Sequence, residues 1–180
     1  MPPASCRSAG SSSTSISAVA RSSSASIPAI PTRWSPRRLP QGLIPDLADY
    51  RSVRREVPYG RNCRVDFLLE APGCPPCYLE IKNVHLMREA ALAEFPDCVT
   101  ARGARHLDEL AGMVAAGARA ILLFVIQIGS ARRFAVARDI DPAYAAAFDR
   151  ARAGGVETLA WRCKLDQEAI AIEADVPILA

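Results

Sequence analysis

The apolar positions of this chain follow two periods. Val53–Pro58 and Cys63–Leu69 alternate as strands do, and Tyr59-Gly60-Arg61-Asn62 between them has the composition of a hairpin turn. Tyr78–Val84 reads as a third strand, and Leu86–Phe95 as a short helix or loop. Over Gly103–Gly117 the period lengthens: Leu107, Leu110, Ala111 and Val114 form one helical stripe, Asp108 and Glu109 fall off it, and Gly117 supplies a stop. Ala120–Ile128 is apolar without a break, as in a buried central strand, with Arg133–Ala137 as a shorter partner. Pro142–Ala153 has a proline in its first turn and Gly154-Gly155 behind it, which predicts a second helix. Val156–Cys163 and Ala169–Ile172 read as the last strands, and Gly42–Tyr50 as a short helical or turn segment. Hairpin strands followed by helix, strand, strand, helix and strand predict a mixed α/β sheet flanked by helices.

Charge divides the 180 residues unevenly. Residues 1–45 hold five Arg and no acid, whereas residues 46–180 carry a net −2. The folded part is therefore not a basic protein, and any contact with nucleic acid must come from a local patch. With no run of about 18 apolar residues, no membrane span is expected. Six cysteines and no secretory signal predict reduced thiols and a cytoplasmic location. Cys74-Pro75-Pro76-Cys77 has metal-like spacing, but no second pair or paired His follows, and two prolines before a strand favour a plain turn.

Residues 1–26 contain eleven Ser, which predicts a disordered tail over residues 1–41 or a transit peptide, ahead of one domain at 42–180. A different origin is also compatible with the text. Read one base earlier, codons for residues 24–31 permit Val-Gly-Val-Asn-Thr-Gly-His-Pro, and codons for 32–41 permit an Ala- and Leu-rich stretch running into Gly42. A one-base insertion near codon 41 would place the upstream part out of frame, and resequencing that region tests the idea.

Asp66 lies on the second predicted strand and Glu80-Ile81-Lys82 on the third. Two carboxylates at one sheet edge can hold Mg²⁺ or Mn²⁺, since hard cations take oxygen ligands. A neighbouring lysine can orient a water or steady a phosphate. The pattern Asp…Glu-x-Lys is that of the restriction-endonuclease-like superfamily. A solvated cross-strand charge cluster would have the same spacing. The chain uses Arg twenty times and Lys only at 82 and 164, so Lys82 stands out. Glu56 is either an additional site acid or an ion-pair partner of Arg54 or Arg64. Thr100, Arg102, Arg105 and His106 open the long helix, where phosphate binding and simple capping are both open. Arg61 and Arg64 are candidate phosphate contacts, Gln127 ends the buried strand, and Tyr144, Phe148 and Trp161 belong to the core.

Several of these motifs together resemble one bacterial and archaeal family. They are Arg55-Glu56-Val57, Tyr59-Gly60-Arg61-Asn62, Arg64-Val65-Asp66-Phe67-Leu68-Leu69, Tyr78-Leu79-Glu80-Ile81-Lys82-Asn83-Val84, Phe95-Pro96-Asp97, Thr100-Ala101-Arg102-Gly103, His106-Leu107-Asp108-Glu109-Leu110 and Asp139-Ile140-Asp141-Pro142-Ala143-Tyr144. The chain resembles the sugar fermentation stimulation protein family over about residues 42–180. The resemblance implies a restriction-endonuclease-like domain preceded by an OB-like half, which is missing or out of frame here. It further implies DNA binding and regulation of sugar (maltose) metabolism. By position, Asp66 and Glu80 would ligate Mg²⁺ or Mn²⁺ and Lys82 would position a water. The alternatives are a metal-dependent nuclease acting through those three residues and a protein-interaction scaffold. Two departures from the family pattern are Ile128, where Arg is usual, and Cys98, where Ala is common.

Overall fold

The computed structural model describes residues 43–60, 63–165 and 170–179. The expectations for residues 1–41 and for Arg61 lie outside them. A six-stranded sheet runs in the order β1-β2-β3-β6-β8-β9. β1 (Ser52–Tyr59), β2 (Cys63–Glu70) and β3 (Cys77–Val84) form an antiparallel meander. β6 (Arg119–Ile126) lies parallel between β3 and β8 (Glu157–Leu165), and β9 (Ile170–Asp175) returns antiparallel along β8. The mixed sheet flanked by helices is thus the architecture expected from the sequence.

Two helices connect the parallel strands. α1 (Ala101–Ala115) leads into β6, and α2 (Pro142–Ala153) leads into β8. They pack on the sheet face that carries Tyr78, Val84, Leu122 and Phe124. Leu69, Leu79, Ile121 and Val125 point to the other face, where Ile44, Leu47 and Tyr50 around a short 3₁₀ turn (Pro45–Leu47) cover them. β6 is buried from Ala120 to Ile126, which explains its unbroken apolar sequence.

Two assignments are corrected. Leu86–Phe95 is neither helix nor loop but a hairpin of β4 (Leu86–Glu89) and β5 (Leu92–Phe95). Four-residue strands give too few periods to distinguish alternation from a helical turn. Arg133–Ala137 forms β7 (Arg133–Val136), but it pairs in parallel with β5 in a separate three-stranded sheet. Its Phe134 side chain reaches the shared core, with its ring 4.2 Å from that of Phe124.

The start of α1 is fixed by side chains. Thr100 Oγ1 accepts from Gly103 N at 3.0 Å, an N-cap. Asp141 is buried and caps α2 through Tyr144 N at 2.9 Å, while its other oxygen accepts from Thr100 N at 2.7 Å. One carboxylate therefore joins both helix starts. Both N–H bonds hold it below the usual carboxylate range. Gly103 has no room for a side chain, since a Cβ there would lie 2.9 Å from Thr100 and 3.1 Å from Tyr144.

Candidate functional site

The antiparallel ladder between β2 and β3 runs from Leu69↔Cys77 to Phe67↔Leu79 and stops. At the next step the Asp66 side chain replaces the backbone partner, its Oδ2 accepting from Ile81 N at 2.7 Å. The pairing of β1 with β2 is also interrupted here, between Arg55↔Phe67 and Val57↔Val65. Glu56, in the gap opposite Asp66, has φ +52°, a left-handed backbone in the middle of a strand. The two ladders break at one level, and the break exposes the polar side chains of β2 and β3 towards α1.

Glu80 lies in this opening and is only 3 % exposed. Its Oε1 accepts from Lys82 Nζ at 2.7 Å and lies 2.6 Å from His106 Nδ1. Arg102 Nε donates to His106 Nε2 at 3.3 Å. With Nε2 accepting, Nδ1 carries the proton and donates to Glu80. Glu80 Oε2 is buried with no hydrogen-bond partner, as are the hydroxyls of Tyr59 and Tyr144. Burial alone would raise the Glu80 carboxyl. The His106 hydrogen bond and the charge and hydrogen bond of Lys82 outweigh it and hold Glu80 below the usual value. Asp66 behaves oppositely: burial first, and then the Glu80 charge, push it up, with only partial relief from Ile81 N–H and Lys82. The site thus packs two carboxylic acids in a poorly solvated place.

These groups line one cavity of about 300 Å³, bounded by Glu56, Arg64, Asp66, Glu80, Lys82, Thr100, Arg102 and His106. A second cavity, of about 390 Å³, adjoins it and shares Glu56, Arg64 and Arg102. Another cavity, of about 480 Å³, lies elsewhere, and its acids Asp46 and Asp175 are exposed. The structure thus brings Asp66, Glu80, Lys82, Glu56, Arg64, Arg102 and His106 together. Arg105 is exposed on α1, outside the lining of either cavity. Gln127 donates to Asn83 Oδ1 at 3.0 Å, also away from the cavity. Sequence reasoning places His106 among the residues that open the long helix and does not link it to Glu80. Its position one turn before Leu110, on the inward stripe of α1, is the signal that it faces the sheet.

The donor set fits a hard divalent cation. Asp66 spends one oxygen on Ile81 N–H, Glu80 keeps a buried oxygen without a partner, and both are carboxylates. Among the described residues no group of three or more His, Cys, Asp or Glu side chains is arranged to hold a metal unaided. Two protein carboxylates, with water and substrate phosphate completing the shell, is the usual Mg²⁺ arrangement.

A mixed α/β domain whose central sheet opens at an Asp…Glu-x-Lys cluster defines the class. The family model described as the sugar fermentation stimulation protein RE domain matches residues 29–169. The chain belongs to the sugar fermentation stimulation protein family. It is 56 % identical over 139 residues to a sugar fermentation stimulation protein homolog of Methylobacterium nodulans, covering 77 % of this chain and 58 % of that protein. A homolog from Brucella anthropi is 51 % identical over 149 residues, covering 83 % of this chain and 64 % of the relative. The chain therefore spans about three-fifths of the length of these relatives. Among solved structures it resembles Pyrococcus furiosus SfsA in complex with Ca²⁺, with a TM-score of 0.71 and 28 % identity, covering 77 % of this chain and 59 % of that one. Among the described residues no helix is long and apolar enough to cross a membrane.

Proposed function

We propose that this chain binds DNA through its phosphate backbone at the Asp66–Glu80–Lys82 opening, with a divalent cation held by the two carboxylates. The observation that carries the reading is the state of the arginines. Arg54, Arg88, Arg119, Arg133, Arg138, Arg150 and Arg162 are each paired with a carboxylate. Arg64 and Arg102, at the cavity, instead donate to the Glu56 carbonyl and to His106, so their charge is not neutralised by an acid among the described residues. Unpaired guanidinium groups around a pocket of this size suit phosphate. The carboxylates of the opening would repel the same phosphate. A divalent cation bound to them reverses that sign and draws the phosphate oxygens in. The Ca²⁺ complex of the Pyrococcus furiosus protein supports metal binding within this family. Regulation of sugar (maltose) metabolism is the physiological role that fits the family name. A mobility-shift assay with duplex DNA in Mn²⁺ and in chelator tests the binding. Retention that needs Mn²⁺ supports it, and no retention in either condition rejects it.

Phosphodiester hydrolysis is the second reading, favoured by Lys82. Its ammonium is largely buried beside Glu80 in the cavity, where it can steady a water or a phosphate oxygen. Lys82→Ala is expected to abolish Mn²⁺-dependent cleavage and to spare most DNA binding. Equal cleavage by folded wild type and variant would remove Lys82 from the chemistry.

A further inference from the structure

The cavity that adjoins the Asp66–Glu80 opening differs from it in charge. In the first, the acidic Glu56, Asp66 and Glu80 face the basic Arg64, Lys82 and Arg102, so acids and bases balance. The second, of about 390 Å³, is lined by Glu56, Pro58, Cys63, Arg64 and Arg102, so two guanidinium groups face a single acid. Both guanidinium groups are held by acceptors that are not carboxylates. Arg64 Nη1 donates to the Glu56 carbonyl at 2.6 Å, taking the main chain rather than the side chain, and Arg54, the other candidate partner of that carboxylate, is bound to Glu70. Arg102 Nε donates to His106 Nε2 at 3.3 Å, and His106 is fixed in turn by Glu80. Each arginine therefore keeps N–H donors beyond the one it spends. A guanidinium already oriented by one bond loses less freedom when it takes a second partner.

We propose that the adjoining cavity is a phosphate subsite that needs no metal, where Arg64 and Arg102 grip one phosphodiester of a DNA strand whose neighbouring phosphate lies at the Asp66–Glu80 opening. The proposal rests on the phosphate-backbone reading above but not on its cation. An excess of guanidinium over carboxylate attracts an anion directly, whereas the balanced first cavity does so only once a cation adds to it. Because Arg64, Arg102 and Glu56 line both cavities, one strand can pass from the first to the second without leaving these side chains. Pro58 and Cys63 complete the second cavity without a further acid, and its volume lies within the usual range of small-ligand sites. The strand is thus anchored in one cavity and presented to the other.

Cys63 reports on the subsite, since its half-buried side chain lines it, and the exposed Cys98, which lines neither cavity, is an internal control. The test is iodoacetamide alkylation of the full 180-residue chain in chelator, read at each cysteine by mass spectrometry. Wild type and Arg64→Ala, both shown to be folded by thermal melting, are compared with duplex DNA or inorganic phosphate added. Duplex at about ten times its Kd should slow alkylation of Cys63 about tenfold and leave Cys98 unchanged, since only the unoccupied fraction reacts. Arg64→Ala should weaken binding in chelator about 10–100-fold and lose the protection at the same DNA concentration. An unprotected Cys63 while DNA stays bound, or binding and protection that appear only with Mn²⁺, would overturn the subsite and leave DNA binding at the Asp66–Glu80 opening standing. Protection by inorganic phosphate but not by duplex would overturn the strand and make the cavity a free-anion site. No DNA binding with or without Mn²⁺ would overturn both the subsite and the reading it rests on.

Discussion

At the residue scale, Asp66 and Glu80 respond to pH with opposite signs. Burial and the Glu80 charge raise the Asp66 carboxyl, so its ionisation opposes folding once pH exceeds the ordinary value of 3.8. Asp66→Asn is therefore expected to melt higher than wild type at pH 7 without metal. The gain should shrink to nothing as pH falls below about 3.8, the unshifted aspartate value. Saturating Mn²⁺ should reverse the order, since only wild type gains linkage stabilisation. Thermal melts at several pH values check all three points. Glu80 is held below its ordinary 4.5, so its network contributes stability above that value and loses it as pH falls through the lowered one. His106→Ala would leave a 3 %-exposed carboxylate without one of its two partners. A loss of about 2–4 kcal/mol is expected at neutral pH, shrinking in acid, measured by urea denaturation.

At the element scale, the site depends on where α1 sits, since Arg102 and His106 are carried on it. Gly103 permits its close approach to Tyr144 of α2, and Gly103→Ala puts a methyl against Thr100 and Tyr144. Alanine is the better helix former by about 1 kcal/mol, yet overpacking of about 1–3 kcal/mol should outweigh it. Denaturation should show net destabilisation, and a more stable variant would mean the helix is free to move. α2 (Pro142–Ala153) was legible to the residue, because Pro142 and Gly154-Gly155 mark its ends locally. The pairing of β7 with β5 was not, because strand partners are chosen by long-range packing such as Phe134 against Phe124. Asp66, Glu80 and Lys82 were legible as a motif. Their support by His106 and Arg102 was not, because it depends on the docking of a helix whose His106 lies 26 residues beyond Glu80. The strain at Glu56 has no sequence signature, since a charged residue in a strand normally signals only an exposed edge.

At the scale of the whole molecule, any DNA affinity has to come from a patch, because residues 46–180 carry a slight net negative charge. About half of the basic side chains of the described residues are committed to ion pairs that tie strands and helices together, such as Arg88 to Glu94 and Asp139, and Arg119 to Glu157. Those pairs serve the fold, while Arg64 and Arg102 line the cavity at Asp66 and Glu80 without an acidic partner among the described residues. The most direct measurement is a fluorescence-anisotropy titration of duplex DNA with the full chain, over a range of salt, with and without Mn²⁺. Wild type should bind more tightly with Mn²⁺, and log affinity should fall linearly with log salt. Arg64→Ala and Arg102→Ala should each weaken binding on all sequences and reduce the salt slope by about 1. Binding that ignores Mn²⁺ and is unchanged in both variants would contradict DNA recognition at this opening.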